Sequence, residues 1–132
     1  MNEPRILIID DDQDDVEILA EVFTKSGVDG VHYVHSAMQA FMYLEEKQPE
    51  DLPKLIVTDL YLPGISGEEF LKDLKAMDKY KKIHVIILST IKSEKEIARY
   101  REMGAEDYLE KPVSYNDYLK VAADIKRKIL AH

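Results

Sequence analysis

Carboxylates that stand where apolar runs break off are the residues of this chain best placed for chemistry. Leu55, Ile56 and Val57 lead to Asp59, and Pro63, Gly64 and Gly67 then interrupt regular structure. Arg5–Ile9 (RILII) ends in Asp10, Asp11 and Asp12. Val85–Leu88 (VIIL) ends in Ser89 and Thr90, and Asp107–Glu110 runs into Lys111-Pro112. A β-rich apolar run closed by turn residues is a buried strand, and the carboxyl ends of such strands form the rim where open α/β sheets bind ligands. If strands 1 and 3 are neighbours, Asp10, Asp11 and Asp59 converge there and raise one another's pKa values. A hard divalent cation relieves that repulsion, and carboxylate oxygens with retained waters suit Mg²⁺, with Mn²⁺ as its substitute. Adding the Ser89 hydroxyl and the Lys111 ammonium completes a set able to transfer phosphoryl groups: a carboxylate nucleophile, a metal to spread charge and a lysine for phosphate oxygens. Taken singly the pieces are bland, since acids cap helices, a strand-end serine is a local cap and Lys-Pro is a loop. It is their joint placement that points to chemistry.

The elements that must carry these residues follow from periodicity. Asp12 is placed to cap a first helix, with Asp14 and Asp15 in its first turn matching the helix dipole, Val16, Leu19, Ala20 and Phe23 as its buried stripe, and Gly27 as its stop. Val31–Val34 reads as a second strand, and Ser36 to Gln39 as a capping box before a helix that buries Ala37, Ala40, Phe41 and Leu44. Pro49 to Pro53 is a polar loop. Ser66 to Glu69 opens a helix burying Phe70, Leu71 and Leu74, and the Lys79–Lys82 segment reads as a solvated connection. Ser93 to Glu96 opens a helix carrying Ile97, Tyr100 and Met103, stopped by Gly104. Ser114 to Asp117 opens the last, which is expected to bury Leu119, Ala122, Ile125 and Ile129. Strand and helix alternate five times, which makes a parallel sheet with helices on both faces. The strand order is then either 2-1-3-4-5 or Rossmann-type.

Composition narrows the function classes. At 132 residues the chain has the size of one domain, 1–132 with its core at about 5–130, and 45% hydrophobic with 33% charged residues is the balance of a soluble globular protein. No apolar run is long enough to span a membrane, and the N-terminus MNEPR lacks the apolar segment of a signal peptide. The absence of cysteine rules out disulfides and thiolate metal sites and fits the cytoplasm. A net charge of −8 argues against direct nucleic-acid binding and permits a cation site. The histidines (His32, His35, His84 and His132) have no ligand spacing.

From about Arg5 to Leu130 the sequence resembles a response-regulator receiver domain, the CheY-like phosphoacceptor module of two-component signalling. The resemblance is carried by ILIIDD, LIVTDLYLPGISG, VIILST and YLEKP, in the family's order and spacing. It implies a flavodoxin-like doubly wound (βα)5 fold of strand order 2-1-3-4-5. It also implies that Asp59 is phosphorylated by a sensor histidine kinase or histidine phosphotransfer protein. Asp10 and Asp11 then take the positions of the Mg²⁺-binding acids, Asp11 in direct contact, with the backbone carbonyl of Tyr61 as the third protein ligand. Ser89 and Lys111 match the hydroxyl and the amine that contact the phosphoryl group, and a cis bond is implied at Lys111-Pro112. Tyr108 matches the switch aromatic that turns inward when Ser89 is drawn to the phosphoryl group. The surface implied to change is that of helix 4, strand 5 and helix 5, including Arg99, Tyr100, Tyr108, Tyr115 and Tyr118. It would serve a downstream protein target or self-association as a homodimer.

The expected protein is thus a stand-alone signalling regulator or phosphorelay intermediate with no output domain, catalysing only its own phosphorylation and dephosphorylation. Val113 stands where the family often has an aromatic residue, and Thr90 where a smaller one is frequent. Bulky Tyr61 and Ile91, at positions that tune phosphoryl lifetime, imply slow autodephosphorylation. A haloacid-dehalogenase-type enzyme would want a second acid at position 61, which is tyrosine, and room for a cap domain. A flavodoxin would want a Ser/Thr/Gly-rich phosphate loop after strand 1, where acids stand instead, and no P-loop is present. A degenerate receiver is disfavoured because all five site positions hold competent residues.

Overall fold

The computed structural model describes residues 5–91 and 93–130, with residues 129 and 130 described by backbone alone. The strands are β1 (Ile6–Ile9), β2 (Val31–Val34), β3 (Leu55–Thr58), β4 (His84–Ser89) and β5 (Asp107–Glu110). The helices are α1 (Gln13–Lys25), α2 (Ala37–Glu45), α3 (Gly67–Ala76), α4 (Glu94–Glu102) and α5 (Tyr115–Ile125), and a π-helical turn, Lys126–Leu130, follows α5. All strands are parallel, and the sheet order is β2-β1-β3-β4-β5, which settles the choice left by alternation alone. The expected resemblance to a flavodoxin-like (βα)5 fold therefore holds. No helix among the described residues is long and apolar enough to cross a membrane.

The central strands are continuous runs of branched aliphatic residues because helices cover both of their faces. Alternation divides each strand between two cores. Leu7, Ile9, Ile56, Val85 and Ile87 pack with Leu44, Phe70, Leu71, Leu74 and Tyr100 on the α2–α3–α4 side. Ile6, Ile8, Leu55, Val57, Ile86 and Leu88 pack with Val16, Leu19, Phe23, Ala122 and Ile125 on the α1–α5 side. Each α-helix starts at a side-chain cap: Asp12, Ser36, Ser66, Ser93 and Ser114 accept from the N–H groups of Asp15, Gln39, Glu69, Glu96 and Asp117. Such caps are worth about 1 kcal/mol each, and they fix where each loop after a strand must end.

The core differs from the sequence expectation in a few places. Tyr80, inside the lysine-rich connection, is among the largest fully buried side chains, and Val22 joins the stripe of α1. The inward stripe of α5 begins one residue early, at Tyr118, and leaves Leu119 half-buried. Ala20, Phe41, Ile97 and Met103 also lie at the margins of the cores. The side chain of Ile129 lies outside the described residues.

Candidate functional site

Registry brings the acids together. Ile9 pairs with Thr58 across β1 and β3, so the next residues, Asp10 and Asp59, leave the sheet side by side, and the Asp59 N–H donates to the Ile9 carbonyl at 3.0 Å. Both carboxylates are buried, whereas Asp11 is exposed at the rim. Each of the three offers an oxygen within 4.8 Å of the other two. A group of carboxylate oxygens this close, with one member open to solvent, fits a hard divalent cation.

Asp59 is held in a fixed orientation. Its Oδ1 accepts from the backbone N–H of Leu60 at 2.6 Å and of Tyr61 at 3.3 Å, while Oδ2 accepts from Lys111 Nζ at 3.1 Å. The Tyr61 side chain points out to solvent, and its backbone folds back over Asp59. Behind Asp59 the first residue of α3, Gly67, passes so near that an added Cβ would meet the Asp59 carbonyl oxygen at 2.3 Å. The Asp59 backbone is thus pressed against the start of the next helix.

Lys111 reaches this group from the edge strand. Its Nζ lies 2.7 Å from Asp10, 2.9 Å from Asp15 and 3.1 Å from Asp59. Burial opposes its charge, but hydrogen bonds and Coulomb attraction from these acids outweigh that, and the ammonium is held well above the ordinary lysine range. Asp10 shows the opposite balance. Burial pushes its carboxyl up despite hydrogen bonds from Lys111 and the Asp12 N–H. Lys111-Pro112 is trans, contrary to the cis bond implied by resemblance. The tertiary amide before proline still favours trans by about 0.5–1 kcal/mol, and the trans chain already delivers Lys111 to the acids.

Ser89 ends β4 fully buried, its Oγ accepting from the Ile91 N–H at 3.4 Å. Tyr108 is turned inward and buried. Its hydroxyl donates to the Ile91 carbonyl and lies within reach of the Ser89 hydroxyl. Tyr100 packs against it at 5.7 Å between ring centroids, and Arg99 covers Tyr100 while pairing with Glu68 of α3. Thr90 is exposed beside this loop.

Two residues of the site were missed in the sequence. Asp15, expected only as helix-dipole acid, turns inward to Lys111, and Tyr118, expected on the α4–β5–α5 surface, is buried with its hydroxyl 3.5 Å from Asp15. Tyr100, expected on the same surface, is buried as well, whereas Tyr115 stays exposed, with Lys25 of α1 over its ring. The available signal was spacing: Asp15 stands one turn before Leu19, at the head of the stripe α1 buries.

A 2-1-3-4-5 sheet with a paired carboxylate on its middle strand and the partnering lysine on its edge strand is the design of the CheY-like signalling receivers. The similarity to known proteins extends along nearly the whole chain: residues 6–123 match the response regulator receiver domain, and the chain belongs to that family. It is 37% identical over 114 residues to the two-component response regulator ORR11 of rice (Oryza sativa subsp. indica), covering 86% of this chain and 75% of that protein. Over 118 residues it is 32% identical to rice ORR1 (subsp. japonica), covering 86% of this chain but spanning only about half (51%) of that relative. Among solved structures, the phosphorylated cyanobacterial phytochrome response regulator RcpA superposes with a TM-score of 0.85 at 26% identity, covering 98% of this chain and 95% of that one. The Mn²⁺-bound form of response regulator Rcp1 gives 0.79 at 25% identity, covering 95% and 94%.

Proposed function

We propose that this receiver domain is a phosphorylation-controlled protein-binding switch of a two-component or phosphorelay system, acting in the cytoplasm, and not a metabolic enzyme. The observation that carries the reading is the Lys111 ammonium lying between Asp10 and Asp59 at the carboxyl rim. The donor is a phosphohistidine of a sensor histidine kinase or histidine phosphotransfer protein. An oxygen of the Asp59 carboxylate attacks phosphorus, the new P–O bond forms as the P–N bond breaks, and the imidazole leaves with its electron pair. The backbone N–H groups of Leu60 and Tyr61 orient the attacking carboxylate. Lys111 follows the charge onto the phosphoryl oxygens, and the Ser89 hydroxyl donates to one of them. Asp10, Asp11, Asp59 and the Tyr61 carbonyl would hold Mg²⁺, or Mn²⁺, which when bound neutralises charge developing on the phosphoryl group.

Drawing Ser89 toward the phosphoryl group favours the inward Tyr108, because both residues share the Ile91 segment. The face altered is that of α4, β5 and the adjoining edge of α5, with Arg99 at its surface, and it meets either a downstream protein or a second copy of the chain. Tyr61 and Ile91 stand exposed at the mouth of the site and shield the acyl phosphate from water. Loss of the phosphoryl group from purified protein should therefore be slow, and loss within seconds would contradict this point. The main test is incubation with acetyl phosphate and Mg²⁺ followed by intact-mass measurement. One phosphoryl adduct is expected, absent in Asp59→Asn. No adduct on the wild-type chain under any Mg²⁺ condition would overturn the reading.

A further inference from the structure

Lys111 has three N–H donors, and each faces a carboxylate: Asp10, Asp15 and Asp59. Two of these acids have other duties under the receiver reading, on which this inference rests. Asp59 becomes the acyl phosphate, and Asp10 belongs to the set that would hold the cation. Asp15 has neither role. An acid that merely complemented the α1 dipole would face solvent, as Asp14 does one residue earlier. Asp15 instead is half-buried, with Oδ2 on Lys111 at 2.9 Å and Oδ1 at 3.5 Å from the hydroxyl of Tyr118. Tyr118 is itself buried at the head of the inward stripe of α5. Asp10, Asp15, Asp59, Lys111 and Tyr118 line one small cavity beneath the rim. The contacts join segments 96 and 103 residues apart in sequence, so they are products of the tertiary fold and not of local helix chemistry.

We propose that Asp15 is a positioning residue for phosphoryl transfer: it keeps the Lys111 ammonium beside Asp59 while Asp10 and Asp59 are otherwise engaged, and Tyr118 braces it from α5. Without it, a long flexible side chain loses the one carboxylate partner that stays constant through the reaction, and the amine spends less time where the phosphoryl oxygens arrive.

The test compares wild type, Asp15→Ala and Asp15→Asn. With acetyl phosphate at saturating Mg²⁺, Asp15→Ala should form the adduct roughly tenfold more slowly while its Mg²⁺ affinity stays within about threefold of wild type. Asp15→Asn should recover part of the rate, because the carboxamide oxygen still accepts from Lys111. In protein without metal or donor, the Lys111 ammonium resonance in ¹⁵N NMR, protected in wild type, should broaden away in Asp15→Ala. An unchanged rate with a retained resonance overturns the inference. So does a fall in rate matched by an equal fall in Mg²⁺ affinity, since Asp15 would then be acting on the cation. If Asp15→Ala does not fold, the near-isosteric Asp15→Asn carries the comparison, and a wild-type rate together with a wild-type ammonium signal in it overturns the inference. Failure of the wild-type chain itself to take a phosphoryl group would instead defeat the receiver reading, while the metal-free resonance would still report on Asp15.

Discussion

Lys111 is paired with three buried or half-buried acids, Asp10, Asp15 and Asp59, so its removal changes stability and ion binding in opposite directions. Its side chain is 11% exposed and its partners lie at 2.7, 2.9 and 3.1 Å. Taking away one member of such a group leaves uncompensated buried charge, which costs 3–5 kcal/mol in a deep interior and about 2 kcal/mol at a rim that water can reach. Metal-free Lys111→Met should therefore unfold at lower denaturant concentration, and Mg²⁺ should restore most of the loss, because an ion that binds only the folded chain stabilises it by mass action. Denaturant titrations with and without Mg²⁺ check this, and a variant that Mg²⁺ fails to rescue would contradict it. Tyr118 gives a pH signature of the same network. Burial, and then the charge of Asp15, pushes its phenol from the ordinary 10.0 up to about 12. Between those values the folded chain keeps a proton that the unfolded chain releases, so stability falls as pH rises through that window. From this group alone the loss between pH 9 and pH 11 should be about 1 kcal/mol, and Tyr118→Phe should remove that part of the slope in unfolding experiments at the two pH values.

The turn between β3 and α3 ties Asp59 to the scaffold, and its glycines serve different ends. Gly64 has φ +76°, with open space around its Cβ position, so Gly64→Ala meets only backbone strain, worth about 1 kcal/mol. Gly67 has an ordinary φ, but a Cβ would stand 2.3 Å from the Asp59 carbonyl oxygen and 2.7 Å from the Leu60 Cα. Backbone cannot yield as a side chain can, so Gly67→Ala should cost about 2 kcal/mol or more and also displace Asp59, slowing adduct formation from acetyl phosphate, whereas Gly64→Ala leaves the rate near wild type. Equal rates in the two variants would show that the close approach does not position Asp59. At this scale much was legible in the sequence: the ends of the three central strands follow from apolar runs closed by Asp or Ser, and each helix start from a capping Ser or Asp. Periodicity finds a buried stripe through its apolar members, however, and is silent where the stripe is completed by a polar residue. Asp15 stands among Asp10, Asp11, Asp12 and Asp14, where charge alone does not say which acid turns inward, and Tyr118 follows Tyr115 at helical spacing. Tyr80 is flanked by Lys79, Lys81 and Lys82, whose polarity hides a side chain that only the tertiary fold buries.

In the whole molecule the two cores meet the rim at different groups, which gives the site two separate lines into the fold. On the α2–α3–α4 side, Tyr108 donates to the Ile91 carbonyl, Tyr100 packs on its ring, and Arg99 ties α4 to Glu68 of α3. On the α1–α5 side, Lys111 leads to Asp15 and Asp15 to Tyr118. The central strands between them are branched aliphatic and packed on both faces, so they are far stiffer than either polar line. Loosening one line should then leave the other closed. Tyr108→Phe deletes the donor that holds the segment after β4 and should cost about 1 kcal/mol. Amide hydrogen exchange should quicken at Ile91 and through the first turn of α4, with α1 and α5 unchanged. Asp15→Asn should do the reverse, speeding exchange where α1 and α5 begin while α4 keeps wild-type protection, since local opening follows the contacts that are lost. If both variants speed exchange in the same segments, the domain responds as one body and the two polar lines are not separate.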